Sequence, residues 1–579
     1  MIKRYANSLL FISLNALLYL LLIHRAALAP LTGYEIYPWN DAVNLLARGA
    51  GAISSLIHPT LYTHILALSM KLFGVNELSA RLFGIVNFCV IMGLIALVTR
   101  SFRADKDGGI LPAFIGIMLL SVNAAAVNGS LLIDFSDTTL LTTFIILFHL
   151  LYGESRGLSP AKRILLLGAA FAFCLWGKVT TTLVLPLSVL VFCLIGGKIK
   201  EGILTAFLFP LIGAALFTAT WFLYCKYVAL QPGQFLAPLK YVFISLFPVG
   251  PAVRTGTSKL HIIAAGVFRD AIWFNIFFIA LTLTAFLDNA YRYFKYKTFS
   301  DENLLFISGF LISAVYIYIE GGAVAGGFPK YLVPAYPLFC CYNGIFAARV
   351  LKPVSTGTSK LWLLYFALCL LFYFFFLGDS VYVTHQVKLL YSRSAGLGPI
   401  KAYLKHYMLL YFAVPAVFTA VMLLCKASGR SMLTMLLITI FALNLSTVLT
   451  QMTALYLTGM DYGTEGACTL RYFYRRTPVI YTTTEGKMAN CPHTKFVNIA
   501  IAVWDNPVKL AEYIVKVKPA VLVYGTACNS VSQLRDSINT PEVSSVLSKY
   551  YYKFDLGSYT VSYLKLSSKL LPGKNDRKM

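Results

Sequence analysis

Lys178 separates two apolar stretches, Ile164 to Gly177 and Val179 to Ile195, that stand too close together to leave a loop between them. Lys330 repeats the pattern just before Tyr331 opens another apolar segment. A cation at the edge of hydrocarbon is costly unless something compensates it, and two of them on one face of a bilayer suggest a bound anion. Glu35 and Asp41, between Gly33 and Gly49, add a complementary function. A carboxylate near an activated carbon takes the proton from an attacking hydroxyl. Together these residue types suggest an enzyme that handles a phosphate-bearing lipid.

The elements that must position them follow from composition. Of 579 residues, 58% are hydrophobic and 13% charged, with a mean hydropathy of +0.71, far from the balance of a soluble domain. A span needs about 20 mostly apolar residues. On that basis the chain is expected to be a polytopic α-helical membrane protein with about 13 transmembrane helices. They begin near Tyr5, Ala80, Ile110, Leu140, Ile164, Val179, Ile203, Ala271, Leu304, Tyr331, Leu361, Met408 and Ser431. The first is expected to be retained as an anchor rather than cleaved as a signal peptide.

The excess of 49 Lys and Arg over 24 Asp and Glu does not point to nucleic acid, because it alternates with the spans. Lys3 and Arg4, Arg100 to Lys106, Arg156 to Arg163, Lys198 and Lys200, Arg292 to Lys297, Arg349 to Lys360, and Lys426 and Arg430 fall in every second connection. The positive-inside rule makes those connections cytoplasmic. The N-terminus is then inside, the C-terminus outside, and Lys178 and Lys330 both face outward.

Residues 1–455 therefore read as a membrane-embedded catalytic domain, with a first outer loop at 30–79. Residues 456–579 read as a small soluble extracytoplasmic α/β domain. Strands are expected at Pro478 to Thr482, Phe496 to Val503, Ala520 to Tyr524 and Tyr559 to Leu566, with a helix at Asn506 to Val517. Cys468 and Cys491 are the preferred disulfide pair there, with Cys528 left over, and no zinc-ligand spacing occurs. In the first outer loop, the spacing of Ala42, Leu45 and Leu46, then of Leu61, Ile65, Leu68 and Leu72, predicts two amphipathic helices lying along the interface.

In this order the chain carries Asn40-Asp41-Ala42, Ala47-Arg48, His58-Pro59-Thr60-Leu61-Tyr62, Leu72-Phe73-Gly74, Ala80-Arg81-Leu82, Asp137, Lys178, and Lys330-Tyr331-Leu332-Val333-Pro334-Ala335-Tyr336-Pro337. The ordered set resembles the lipid-linked-sugar glycosyltransferases of the GT-C class, in the branch of protein O-mannosyltransferases and the lipid A aminoarabinose transferase. Two positions depart from that pattern: Asn40 replaces the first acid of a pair, and Thr60 replaces a second proline. The resemblance implies a GT-C fold and sugar transfer from a polyprenyl-phosphate donor. It implies that Asp41 and Asp137 belong to the catalytic set and that Lys178, Lys330 and Tyr331 hold the donor phosphate, while the missing first acid leaves open whether Asp41 acts alone or with Glu35. It leaves Tyr34, Asn40, Arg48, His58, Tyr62 and Glu320 to bind substrate or acceptor.

Chemistry agrees with that topology. Nucleotide sugars are not supplied outside the cytoplasm, whereas a polyprenyl-phosphate sugar arrives with its leaving group attached. Asp41 is the expected base, Lys178 and Lys330 would neutralise the departing phosphate, and a single displacement inverts the anomeric carbon. Arg254 and Lys240 are further candidates for phosphate or acceptor. The acceptor is a glycolipid, a polysaccharide or a protein. No cofactor is required, although Glu35 with Asp41 could hold a divalent cation through oxygen. Simpler roles stay open: Asp41 capping a helix or pairing with Arg48, Asp137 favouring a helix start, Asp134 solvated in a loop, Lys178 and Lys330 snorkelling. A transporter or flippase of an anionic lipid or lipid-linked sugar is the alternative function, since it too uses buried cations. A non-catalytic scaffold explains least.

Overall fold

The computed structural model describes residues 36–53, 59–102, 110–123, 140–228, 275–297, 299–320, 330–351, 359–376 and 428–462 of the helical region. It also describes isolated residues between 126 and 130, 236 and 240, and 413 and 424, and, toward the C-terminus, residues 479–482, 495–498, 506–519, 521–525, 540–556 and 559–564. Tyr34, Glu35, His58, Asp134, Asp137, Arg254, Cys468, Cys491 and Cys528 lie outside the described residues. So do the spans expected to begin at Tyr5 and the side chains of Asn40, Arg48, Glu320, Lys330 and Tyr331.

The helices are α1 (Ile36–Arg48), α2 (Leu61–Phe73), α3 (Glu77–Ser101), α4 (Leu111–Ser121), α5 (Thr142–Glu154), α6 (Pro160–Gly177), α7 (Val184–Ile195), α8 (Ile199–Tyr227), α9 (Ile276–Tyr296), α10 (Asn303–Glu320), α11 (Tyr336–Leu351), α12 (Ser359–Phe376) and α13 (Gly429–Tyr462). Among the described residues, four stretches are long and apolar enough to cross a membrane: Leu78–Ser101, Pro160–Gly177, Ile199–Tyr227 and Gly429–Leu449. Several of the other expected spans are present as shorter apolar helices, such as Leu111–Ser121 and Asn303–Ile317. α8 exposes Phe207, Leu211, Phe222 and Leu223, each more than half accessible. Such a surface is stable against lipid rather than water.

By internal contacts the chain divides into two units. The first comprises Met1–Ala16, Ser55–Tyr62 and Gly84–Met452, and the second Leu17–Ser54, Thr63–Phe83 and Thr453–Met579.

Small residues let helices of the first unit approach closely, as packing in lipid requires. α4 and α11 cross at Gly116 and Gly344, where a Cβ on Gly344 would lie 2.4 Å from the Pro112 carbonyl oxygen. α6 and α8 cross at Gly168 and Gly213, where a Cβ on Gly213 would lie 2.6 Å from the Gly168 oxygen. At the ends of these helices that adjoin the basic connections, Arg349 bonds Glu302 at 3.1 Å and Asp288 at 3.4 Å, joining α11, the start of α10 and α9. Arg163 bonds Glu201 at 2.5 Å, and Arg156 pairs with Asp301.

In the second unit five strands, β1 (Val479–Thr482), β2 (Lys495–Asn498), β3 (Val521–Gly525), β4 (Tyr551–Leu556) and β5 (Tyr559–Leu564), form one sheet in the order β2-β1-β3-β5-β4. β1 runs parallel to β2 and β3, while β5 runs antiparallel to β3 and β4. α14 (Pro507–Val517) starts where Asn506 accepts from the Lys509 amide at 3.2 Å, and packs on α15 (Pro541–Tyr550) through Leu510, Ile514, Val543 and Leu547. The strands expected from sequence are present in part. β4 and α15 were not anticipated, because SerSer-rich α15 has few apolar positions and β4 follows it without a turn.

Candidate functional site

Asp41 is the sixth residue of α1, so it lies past the helix start and does not cap it. It is 5% exposed, on the face that also buries Trp39 and Ala42. A carboxylate so placed is held by its neighbours rather than by bulk water. Of the spaced residues Ala42, Leu45 and Leu46, only Ala42 is buried, while Leu46 is exposed. In α2 the buried face is Tyr62, Leu66 and Met70, whereas Leu68 and Leu72 are 55% and 66% exposed. An apolar stripe turned outward suits a helix lying on lipid. Half-burial also holds His64 below its ordinary pKa, since desolvation favours the neutral ring.

The Leu72-Phe73-Gly74 and Ala80-Arg81-Leu82 stretches bracket a tight corner between α2 and α3. Gly74 takes φ +86°, a left-handed conformation that favours glycine. Asn76 Oδ1 accepts from the Ser79 amide at 2.8 Å, Ser79 Oγ donates to the Gly74 oxygen at 2.5 Å, and Ser69 Oγ donates to the Ser79 oxygen at 2.5 Å. This part of the motif is therefore corner chemistry, with Arg81 buried beside it.

In the first unit, Lys178 is the joint expected from sequence. Its backbone is extended (φ −160°, ψ 124°) between the end of α6 and the single turn Val179–Thr182 that precedes α7. Thr182 Oγ1 donates to the Lys178 carbonyl at 2.7 Å, fixing that joint. The side chain is 1% exposed, with Nζ 5.3 Å from the centre of the Tyr316 ring on α10. The Tyr316 hydroxyl in turn bonds Thr181. Nothing in the local sequence signalled Tyr316, because it comes from a distant helix.

Lys330 opens a 3-10 segment, Lys330–Ala335, that leads into α11. The sequence placed the start of a span at Tyr331; the structure starts the α-helix at Tyr336, which the two prolines of the motif explain, since Pro334 removes a helical donor and Pro337 fits a first turn. α10 packs against this segment, so one helix meets both Lys178 and the segment that Lys330 opens. Tyr62 is buried in the same unit, and Thr60, where the sequence departs from the family pattern, lies against the Tyr224 hydroxyl near the end of α8. Lys240 is exposed. Asp41 belongs to the second unit and Lys178 to the first. Among the described residues no group of three His, Cys, Asp or Glu side chains is arranged to hold a metal.

No family model matches the sequence, and no curated protein matches it significantly. Solved structures do match the fold. One is ArnT from Cupriavidus metallidurans bound to undecaprenyl phosphate, at a TM-score of 0.61 and 14% identity, covering 98% of this chain and 99% of that one. The apo state of the same protein matches at a TM-score of 0.56 and 13% identity, with the same coverage. The chain thus shares the fold of that protein along nearly its whole length.

Proposed function

We propose that this chain is an inverting glycosyltransferase that moves a sugar from a polyprenyl phosphate to an acceptor hydroxyl, at the membrane face opposite its basic connections. The observation that carries the reading is Lys178: a cation buried to 1% at a helix joint, in a fold shared end to end with a protein that binds undecaprenyl phosphate. The positive-inside pattern makes that face extracytoplasmic, with the N-terminus in the cytoplasm.

In the proposed reaction the acceptor oxygen attacks the anomeric carbon, the carbon–oxygen bond to phosphate breaks, and the acceptor proton passes to Asp41. Lys178, with Lys330, Tyr331 and Arg254, stabilises the charge that gathers on the departing phosphate. Glu35 and Asp137 assist the base or orient the sugar. Tyr34, Asn40, Arg48, His58, Tyr62 and Glu320 shape the space for sugar and acceptor. In this reading residues 456–579 select the acceptor. The donor sugar is not specified by any of these groups.

The test uses purified protein in lipid nanodiscs. Asp41→Asn should retain undecaprenyl phosphate binding and lose transfer by at least about 100-fold, whereas Lys178→Ala should weaken lipid binding as well. Full activity in Asp41→Asn would remove it as the base. Movement of the lipid across vesicles without any covalent product would replace the reading with transport.

A further inference from the structure

At the end of the first unit that carries the basic connections, arginines and lysines have different surroundings. Arg156, Arg163, Arg292 and Arg349 take the carboxylates of Asp301, Glu201, Asp288 and Glu302, as the planar guanidinium fork favours. Lys198, Lys200, Lys295 and Lys297 are exposed and, among the described residues, enter no ion pair. We propose that these four lysines form a docking surface for the headgroup of an anionic phospholipid of the bilayer. This surface lies at the opposite end of the helices from Lys178 and does not depend on the reaction proposed above.

The four lysines come from two places that the fold joins. The Tyr293 hydroxyl, on the last turn of α9, donates to the Ile195 carbonyl at the end of α7, at 3.3 Å. The Phe299 ring sits 5.7 Å from that of Tyr293 and 5.3 Å from that of Phe192 on α7, centre to centre. Lys198 and Lys200 follow Ile195 at the turn into α8, and Lys295 and Lys297 follow Tyr293. One clasp therefore gathers both lysine pairs. Lys295 Nζ donates to the Tyr291 hydroxyl at 3.0 Å and lies 5.2 Å from the centre of the Tyr296 ring, so its ammonium is held at the surface. Lys297 ends α9 in the left-handed region, at φ +54°, where glycine would cost less. A charge thus occupies a position from which the backbone gains nothing.

The neighbours of the lysines favour a lipid over a soluble anion. Tyr291, Phe294 and Tyr296 are 57%, 71% and 59% exposed, and Ile195 and Ile199, on either side of Lys198, are 44% and 53% exposed. Water disfavours so much apolar surface in one place, whereas the membrane interface accommodates aromatic rings at headgroup depth. An anionic phospholipid matches both halves of the surface: its headgroup meets the lysines, and its chains cover Ile195, Ile199 and Phe294. Each lysine beside an anionic headgroup adds attraction worth about a fivefold gain in binding before screening.

The experiment titrates the purified full chain in neutral detergent with phosphatidylglycerol and, separately, with phosphatidylcholine, and counts bound lipids by native mass spectrometry. Wild type should bind phosphatidylglycerol at least about tenfold more tightly, with a preference that shrinks as salt rises. The variant K198Q/K200Q/K295Q/K297Q should reduce that preference to within about twofold. The charge-matched variant K509Q/K516Q/K518Q/K549Q, whose exposed lysines belong to the second unit, should keep it. If the first variant fails to fold, K198Q/K200Q and K295Q/K297Q, made separately, should each reduce the preference at least about threefold. Equal loss in both fourfold variants would assign the effect to net charge, and no loss in either would leave the lysines as topology signals alone; each result overturns the surface. A wild type that holds the two lipids equally does the same. Displacement of phosphatidylglycerol by an equal concentration of inorganic phosphate would make a free anion the occupant and overturn the proposal as well.

Discussion

The two ends of the helical unit treat cations differently. At the end of the basic connections, guanidinium groups meet carboxylates and tie helices together: Arg349 to Glu302 and Asp288, Arg163 to Glu201, Arg156 to Asp301. Arg349 also donates to Asn289 Oδ1 at 3.1 Å, and Asn289 Nδ2 donates to the Tyr342 hydroxyl at 2.8 Å, so the network is a knot rather than a pair. At the other end Lys178 is more deeply buried and rests over an aromatic ring on a third helix. One end ties its arginine cations to carboxylates across helices, whereas Lys178 is set against an aromatic ring on a third helix.

Substitutions at three positions break or sharpen that contrast. The largest effect is expected from Gly344→Val at the α4–α11 crossing. Its Cβ has backbone on the other side, 2.4 Å away, with no flexible group to give. A loss of more than about 3 kcal/mol is expected, read as a collapse of thermal stability in detergent, whereas Gly93→Ala, with nothing within 4 Å, serves as the silent control. A stable Gly344→Val protein would mean that the helices can separate at no cost.

Arg349→Met should come next. It leaves the nearly buried Glu302 carboxylate, 5% exposed, without its guanidinium. Arg349 is itself partly solvated, so the penalty is discounted to about 2 kcal/mol from that of a fully buried pair. Stability should fall while affinity for undecaprenyl phosphate stays constant. A selective loss of lipid affinity would contradict the division of labour between the ends.

The smallest effect belongs to Tyr316. Tyr316→Phe keeps the ring over Lys178 and removes only the bond to Thr181, so lipid affinity should change by less than about threefold. Tyr316→Leu removes the ring and should weaken lipid binding about fivefold to tenfold with little loss of stability. If Leu and Phe behave alike, the ring does not orient the lysine.

Much of this arrangement was legible along the chain because it depends on neighbours in sequence. Lys178 stood out because two apolar stretches leave it no loop, and the structure places it at that joint with an extended backbone. The Gly74 corner was visible as a motif, and its purpose emerged from the positive φ and the Ser79 and Asn76 bonds. Faces were harder. For α2 the periodic leucines pointed outward and Tyr62, Leu66 and Met70 inward, since in a lipid setting apolar character no longer distinguishes the protein side from the solvent side. Tyr316 was missed for another reason: it meets Lys178 from a different helix, and spacing within one helix carries no record of such a contact.

The sequence by itself determined that the chain is a helical membrane protein, which connections are basic, and where isolated cations and acids interrupt the apolar run, because hydrophobic transfer and charge are properties of each residue. The tertiary structure decided what each charge faces. It placed Lys178 over Tyr316 and consumed Arg349 in a carboxylate knot. Electrostatic and hydrogen-bond energies depend on distances between residues far apart in the chain, and only packing fixes those distances.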